Sequence, residues 1–201
     1  MPHISKWSMP LILVGAMFAH GSVVANVTVV MMRHAEKPAE DLGQLSCQGL
    51  NRALKLAPLL ASRFGKADTV IAPNPAIKMK KGNADWNYVR PLATIEPYAI
   101  SMGLPVSTTF GWNQSAAMVN LLLARNHGLV VVAWEHHALV DIARQMMSRL
   151  GGEINIPVWD KNDFDTLFVF NIATSTFAAP KLISFSTQQQ GLNGQPTTCP
   201  K

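Results

Sequence analysis

Two apolar, β-branched runs in this chain each end in a polar segment that contains histidine. Residues 27–32 lead directly into Arg33 and His34. Residues 129–134 lead in the same way into the segment 135–137, which reads Glu-His-His. Each run predicts a β-strand. Functional sites in open α/β sheets form beyond the carboxyl ends of strands, so two such strands lying side by side would bring both segments to one crevice.

The rest of the chain alternates between helical and strand patterns. Apolar residues recur at helical spacing in several segments, and short apolar runs bounded by turn residues predict further strands. The predicted helices cover 46–65, 90–102, 113–126 and 139–150, the further strands cover 69–72 and 166–172, and residues 73–89 form an irregular loop. This alternation predicts an α/β fold, a three-layer sandwich whose largely parallel central sheet is flanked by helices. A chain of 201 residues is expected to form one such domain.

The first 25 residues have the pattern of a secretory signal peptide. Lys6 precedes a mostly apolar segment at 9–19, and small or permissive residues stand before Asn26. An uncleaved membrane anchor is the alternative. Pro10 interrupts the apolar segment, however, and the segment is shorter than the ~20 residues that a membrane span requires. We therefore expect a periplasmic or secreted protein.

Cleavage after residue 25 would leave a domain at 26–173 and a polar tail at 174–201. The tail is rich in Ser, Thr, Gln, Gly and Pro, which predicts loose order. One of the 17 basic residues and none of the 12 acidic ones would be removed, leaving 16 basic residues against 12 acidic and a net charge of +4. Such a field favours an anionic partner.

A small phosphorylated substrate would suit this positive field, and so would nucleic acid or an anionic membrane surface. The chain shows no recognition-helix pattern, no interleaving of aromatic and basic residues and no zinc-finger spacing, so a nucleic-acid partner is not expected. No membrane association is expected once the signal peptide is cleaved. The sequence leaves the oligomeric state open.

Four short segments occur in an order that is specific when they are taken together. They are Arg-His-Ala-Glu-Lys at 33–37, the helix start at 45–53, Arg-Pro-Leu-Ala-Thr-Ile-Glu-Pro at 90–97, and Trp-Glu-His at 134–136. This set resembles the histidine phosphatase superfamily, in particular its small, single-domain members related to phosphoglycerate mutase. Ala35 stands where the family motif has glycine, a mild substitution.

The resemblance implies that His34 is the residue that becomes phosphorylated. A neutral imidazole can attack phosphorus once the charge of the phosphate is neutralised, and arginine binds phosphoryl oxygens bidentately. Arg33 adjoins His34, and Arg90 matches the arginine that the family places before its second helix. His136 matches the second histidine, which stabilises charge on a phosphoryl oxygen.

These roles together predict an exported phosphomonoester hydrolase that acts through a phosphohistidine at His34. The alternative from another class is a binding protein for phosphate or a sugar phosphate, which retains the anion pocket without turnover.

Two assignments stay open at the sequence level. His136 and His137 are adjacent, and either could face the pocket. Family members protonate the leaving oxygen with a carboxylic acid, which one branch carries at the position occupied here by His137. Glu135 is the nearest candidate for that acid, with Glu36 and Asp85 as alternatives. Glu135 could equally be a structural hydrogen-bond acceptor.

The loop at 73–89 carries a group of lysines. Such a charge run is ordinarily a solvated surface. The functional alternative is that the loop overhangs the pocket, where Lys78 and Lys80 would bind a polyanionic substrate. Trp86 and Tyr88 would then provide an apolar wall for the leaving group.

A metal site is the competing interpretation of the segment 135–137. Its spacing lacks the i, i+4 pair that lets a helix present two ligands on one face. We therefore expect no metal and no other cofactor.

The two cysteines, Cys47 and Cys199, do not form a Cys-x-x-Cys unit. In an exported chain an even cysteine count favours a disulfide, which would hold the polar tail to the domain. Two free thiols, with Cys47 buried as a small apolar residue, are the alternative.

Overall fold

The computed structural model describes residues 25–81, 84–153, 155–176 and 178–201. The helices are α1 (Cys47–Phe64), α2 (Arg90–Met102), α3 (Ser115–Leu123) and α4 (His136–Arg149). The strands are β1 (Ala25–Arg33), β2 (Thr69–Ile71), β3 (Met79–Lys81), β4 (Ala84–Trp86), β5 (Val106–Ser107), β6 (Gly128–Trp134), β7 (Thr166–Thr174) and β8 (Lys181–Gln189). Among the described residues, no helix has the length and apolar character needed to cross a membrane. The predicted signal peptide lies outside the described residues, except for Ala25, which begins β1.

Six of the strands form one sheet in the order β5-β2-β6-β1-β7-β8. The pairs β5·β2, β2·β6 and β6·β1 are parallel, and β7 and β8 are added in antiparallel orientation. The predicted α/β fold with a largely parallel sheet is confirmed. Arg33 at the end of β1 lies opposite Trp134 at the end of β6, so the polar segments that follow these strands meet at one edge.

Helices cover both faces of this sheet. Successive side chains of a strand point to opposite faces. Val29 and Met31 accordingly pack in one apolar cluster that includes side chains of α3 and α4. Val30 and Met32 pack in a second cluster, with side chains of α1 and α2. Full burial of an apolar side chain of this size stabilises the folded state by about 1.5–3 kcal/mol. With helices packed on both faces of the sheet, the predicted three-layer arrangement is confirmed.

Local signals fix the starts of α1 and α2 near the ends of the central strands. Ser46 caps α1, since its hydroxyl accepts a hydrogen bond from the amide of Gly49 at 3.1 Å. The Ser46 amide donates to the Glu36 carbonyl at 2.9 Å and ties this cap to the segment after β1. Pro91 lies in the first turn of α2, where its missing amide costs nothing, and this places Arg90 at the helix start.

Two segments differ from the sequence-based expectation. Residues 73–89, expected as an irregular loop, contain the hairpin of β3 and β4. The prediction of a loosely ordered tail at 174–201 is wrong, because this segment contains β8, nine residues long and paired with β7. Most side chains of β8 are exposed to solvent, and most of them are polar. Leu182 and Phe185 pack against the core. The sheet therefore extends beyond the predicted domain boundary at 173.

The end of the chain is fixed to the start of α1. The structure contains the predicted disulfide between Cys47 and Cys199. Beside it, the Asn51 side-chain amide donates to the carbonyls of Pro196 at 2.9 Å and Thr198 at 2.8 Å. These contacts hold the residues after β8 against the domain.

Candidate active site

His34 follows β1 directly and lies at the edge where the two polar segments meet. Its side chain is buried, and its backbone amide donates to the Trp134 carbonyl at 3.0 Å. The ring atom Nδ1 lies 2.7 Å from the carbonyl oxygen of Ala35. A carbonyl can only accept, so Nδ1 carries the proton, and the lone pair of the neutral ring is on Nε2. This tautomer is the one required of a nucleophile at Nε2.

The electrostatic surroundings keep His34 neutral. Burial lowers its pKa well below the ordinary value. Positive charge on Arg90, Arg33 and His136 lowers the pKa further, and the hydrogen bond to Ala35 opposes the shift only in part. The imidazole is therefore unprotonated near neutral pH, with two arginines and a second histidine within electrostatic reach.

Arg33, at the end of β1, is held by a distant part of the chain. Its Nη1 donates to the carbonyls of Lys161 at 2.6 Å and Asp163 at 3.1 Å. Its guanidinium lies over the ring of Phe164, with 4.0 Å between Cζ and the ring centroid. Nε is buried and has no hydrogen-bond partner among the described residues. Arg33 is thus fixed in orientation and retains a donor for an anion.

Arg90 is the first residue of α2 and is buried. Although it is distant from His34 in the sequence, it lies close enough to lower the pKa of His34. Its Nη1 donates to the backbone carbonyl of Asp41 at 2.9 Å and is also paired with the Asp41 carboxylate. The Asp41 backbone has φ of 74°, a left-handed conformation that is uncommon outside glycine and that aspartate adopts more readily than most residues. Arg90 Nε is buried without a partner among the described residues. The arrangement again leaves a guanidinium N–H for a ligand.

Glu135, His136 and His137 form the junction of β6 and α4. Glu135 caps α4 by accepting from the Ala138 amide at 2.8 Å, and its Oε1 lies 2.6 Å from Nδ1 of His136. Burial raises the pKa of Glu135, but the bonds from His136 and Ala138 outweigh burial and lower it overall. Glu135 is therefore an ionised acceptor that orients His136, and the structure favours this alternative over a role as general acid. His136 is half-buried beside the site, whereas His137 is exposed.

The sequence matches no protein-family model and no curated protein. Solved structures are nevertheless similar. A mycobacterial glucosyl-3-phosphoglycerate phosphatase in complex with inorganic phosphate is 14% identical, the match covers 80% of this chain and 95% of that chain, and the TM-score is 0.51. The chain shares the fold of this phosphatase.

Two further structures are similar with lower TM-scores. A protein from Nakamurella multipartitia described as a phosphohistidine phosphatase, SixA, is 14% identical over 81% of this chain and 96% of that chain, with a TM-score of 0.49. A phosphoglycerate mutase from Plasmodium falciparum is 10% identical over 81% of this chain and 91% of that chain, with a TM-score of 0.43. The structure with the TM-score of 0.51 confirms, at the level of the fold, the resemblance detected in the sequence.

The other two carboxylates considered as proton donors are Glu36 and Asp85. Glu36 is buried and accepts from Arg52 at 2.8 and 3.0 Å, so it is the partner of a buried cation. Asp85 is exposed on β4 and lies 3.4 Å from Nζ of Lys78. Neither observation favours proton donation to a leaving group.

A cavity of about 520 Å³ opens beside the junction of β6 and α4. The residues that line it are Lys78, just before β3, Met79 and Lys80 of β3, and Trp112, Glu135 and His137. The structure therefore brings the two predicted substrate-binding lysines to the same cavity as Glu135. Both lysines are exposed, and the assignment of substrate binding to them stays a prediction.

Several site residues escaped sequence analysis. Phe164, beneath Arg33, and Asp41, beside Arg90, meet their partners only through the fold. Trp112 lines the cavity and was not singled out. Tyr88 was considered only as an apolar wall, yet it is fully buried with its ring edge-on to His34. Its position two residues before Arg90 was the one available signal.

Three residues offer a possible metal site within the described part of the chain. One donor atom from each of Glu135, His136 and His137 lies within 4.8 Å of the others. These residues lie at the amino end of α4, where the helix dipole disfavours a cation. Glu135 is also occupied by the Ala138 amide and by His136. The three residues could coordinate a divalent ion only if Glu135 lost these contacts.

Proposed function

We propose that this protein hydrolyses phosphomonoesters through a phosphohistidine formed on His34. The single observation that carries the proposal is the bond between His34 Nδ1 and the Ala35 carbonyl, 2.7 Å long, which leaves the lone pair on Nε2. Unpartnered Nε–H groups of Arg33 and Arg90 in the same buried site provide donors for an anion.

The first step is attack of His34 Nε2 on phosphorus. A P–N bond forms as the ester P–O bond breaks, and the leaving oxygen departs with the electron pair and takes a proton from solvent water to become an alcohol. Arg33 and Arg90 bind the nonbridging oxygens and neutralise their charge. When protonated on both ring nitrogens, His136, whose Nδ1 lies 2.6 Å from Glu135 Oε1, donates from Nε2 to a phosphoryl oxygen. Water then attacks phosphorus, which releases inorganic phosphate and restores the neutral imidazole.

The leaving group would occupy the cavity beside Glu135 and His137. Trp112 and Met79 suit an apolar group there, and Lys78 and Lys80 suit a second negative charge. Because Glu135 is held ionised, the enzyme would act best on esters with good leaving groups or on phosphoryl groups bound to nitrogen.

The same observation on Glu135 favours a second candidate function, a non-catalytic receptor for phosphate or a sugar phosphate. Such a receptor needs the two arginines and His136 but no proton donor. Hydrolysis of an aryl phosphate, whose leaving group needs no acid, separates the two functions. We expect turnover by the purified protein, loss of turnover in His34→Ala, and unchanged turnover in His127→Ala, which removes an exposed histidine just before β6. Binding of phosphate without any turnover would favour the receptor.

We also propose that the protein is exported to the periplasm or secreted. The support is the signal-peptide pattern of residues 1–25 and the Cys47–Cys199 disulfide, a bond that persists in oxidising compartments. Expression of the full chain followed by cell fractionation tests the proposal, and a protein retained in the cytoplasm with both thiols free to react with an alkylating reagent contradicts it.

A further inference from the structure

The hydroxyl of Tyr88 is buried and has no hydrogen-bond acceptor among the described residues, because the Arg90 guanidinium, its hydrogen-bonding neighbour, can only donate. Buried hydroxyls are nearly always paired, and an exception calls for an explanation such as a ligand that supplies the partner. The other buried tyrosine, Tyr98, shows the ordinary case. Its hydroxyl accepts from the Ala67 amide at 2.9 Å and donates to the Gly65 carbonyl at 2.7 Å.

Tyr88 lies within the candidate active site. Its ring is perpendicular to that of His34, with 6.0 Å between the centroids. The Arg90 guanidinium lies over the Tyr88 ring, with Cζ 4.9 Å from the ring centroid. The charges of Arg33 and Glu135 are close enough to shift the pKa of the Tyr88 hydroxyl, which Arg33 lowers and Glu135 raises. The hydroxyl therefore belongs to the group of side chains around the proposed nucleophile.

The backbone holds Tyr88 in this position from two sides. Its amide donates to the Pro75 carbonyl at 3.1 Å, and the amides of Val89 and Arg90 both donate to the Gly43 carbonyl, at 3.1 and 3.0 Å. Tyr88 and Arg90 are thus presented by one fixed segment, so that the phenol and the guanidinium keep a constant relation to each other.

The phenol in this environment is a donor. Burial raises its pKa, and the opposing effect of Arg90 does not reverse the shift, so the hydroxyl keeps its proton. A neutral phenol surrounded by the cations Arg33 and Arg90 finds its complementary acceptor in an anionic oxygen. The ring is fully enclosed, whereas the cavity proposed for the leaving group is lined by the exposed residues Lys78 and His137. Tyr88 does not line that cavity itself, although its ring packs edge-on against Trp112, which does, with 6.4 Å between the centroids.

We propose that Tyr88 is a phosphoryl-binding residue whose hydroxyl donates a hydrogen bond to a nonbridging oxygen of the substrate. This inference rests on the proposed function for the identity of the ligand. It assigns to Tyr88 a role in binding the transferred group, which is distinct from protonation of the leaving oxygen.

Tyr88→Phe tests the inference because it removes the hydroxyl and keeps the ring, and Tyr98→Phe is the matched control. The measurements are the affinity for inorganic phosphate and for vanadate by calorimetry, and kcat/KM for a series of aryl phosphates of differing leaving-group acidity. One hydrogen bond to a charged oxygen predicts that Tyr88→Phe loses about 10- to 100-fold in vanadate affinity and in kcat/KM. The loss should be the same for every leaving group, and Tyr98→Phe should bind and turn over as the wild type does.

Several results would overturn the inference. One is a Tyr88→Phe protein whose vanadate affinity and kcat/KM both lie within twofold of the wild type. Another is a loss that grows as the leaving group becomes poorer, which would make Tyr88 a proton donor. If Tyr88→Phe does not fold, as judged by near-ultraviolet circular dichroism, difluorotyrosine at position 88 replaces it. Phosphate affinity should then decrease as the pH rises through the lowered pKa of that phenol, and a flat profile would contradict the role.

The same data separate this inference from the proposed function. A wild-type protein that binds phosphate but hydrolyses no ester contradicts the phosphatase, and the binding comparison still decides the role of Tyr88. A wild-type protein that hydrolyses esters alongside an equally active Tyr88→Phe contradicts only the role of Tyr88.

Discussion

Arg52 of α1 donates from Nε and Nη2 to the carboxylate of Glu36, two residues after His34, at 2.8 to 3.0 Å. The Arg52 side chain is 1% exposed, and its Nη1 also donates to Asp165 at 2.8 Å, just before β7. Asp165 in turn accepts from the amides of Gly191 and Leu192, beyond β8. This buried cation therefore joins the segment after the proposed nucleophile to α1 and to the end of the chain.

Removal of the Arg52 charge should destabilise the protein strongly. Arg52→Met leaves the carboxylates of Glu36 and Asp165 buried without their cation, and breaking a buried ion pair in this way costs about 3–5 kcal/mol. The free energy of unfolding, measured in urea, should fall by that amount. Arg144→Met, which alters an exposed arginine of α4, is the control and should stay within about 0.5 kcal/mol of the wild type. Equal stability of the two variants would show that the pair contributes little.

Arg90→Ala should impair catalysis through the loss of phosphoryl contacts. Removal of one such stabilising group costs about 10²–10³-fold in rate. Arg90→Lys keeps a charge but loses the planar fork, and we expect an intermediate loss. Steady-state kinetics with an aryl phosphate measure both, with the exposed Arg149→Ala as the control. Full turnover in Arg90→Ala would remove this residue from the site.

Stability should depend on pH through His34. Burial beside Arg90 and Arg33 places its folded-state pKa well below 6.5, the value of an unperturbed histidine. Between the two values the unfolded chain binds a proton that the folded protein does not, so the free energy of unfolding decreases as the pH falls below about 6.5, by up to about 1.4 kcal/mol per pH unit. Above that pH this contribution does not change.

The variant His34→Gln removes this dependence. The free energy of unfolding of the wild type should therefore decrease, relative to that of His34→Gln, as the pH falls below about 6.5. His127→Gln controls for the loss of an exposed imidazole. Parallel pH profiles for wild type and His34→Gln would mean that the folded protein protonates His34 as easily as the unfolded chain.

Turnover should not require a divalent metal. Arg33, Arg90 and His136 provide the positive charge that a metal supplies in other phosphatases. Activity measured after dialysis against a chelator should equal the activity before it, and His137→Ala, at an exposed member of the metal-capable group, should behave in the same way. Activity that is lost on dialysis and restored by zinc would assign a metal to Glu135, His136 and His137.

The sequence predicted the parts of the site that follow from strand ends. The apolar runs before Arg33 and Glu135 predicted two strands that end in polar segments, and the structure pairs these strands as β1 and β6, with Arg33 opposite Trp134. The prediction depends only on a local pattern and on the general geometry of α/β sheets. Arg90 was identified through the family resemblance, as the arginine placed before the second helix, and the structure places it at the start of α2.

The parts that escaped prediction depend on contacts between distant segments. The partners of Arg33 lie at 161–164, and no local pattern connects them. The strand β8 was missed because it lies at the edge of the sheet, where seven of its nine side chains can be polar or exposed and only Leu182 and Phe185 pack on the core. The role of Glu135 followed from its contacts with Ala138 and His136, which the sequence left open.

The most direct test of the account is detection of the phosphoenzyme. Protein mixed with an aryl ester of labelled phosphate and quenched within milliseconds should carry label that is labile to acid and stable to base, as a P–N bond is. The label should map to the peptide that contains His34, and it should be lost in His34→Ala and retained in His127→Ala. A label that survives in His34→Ala, or one that is stable to acid, would contradict a phosphohistidine at His34.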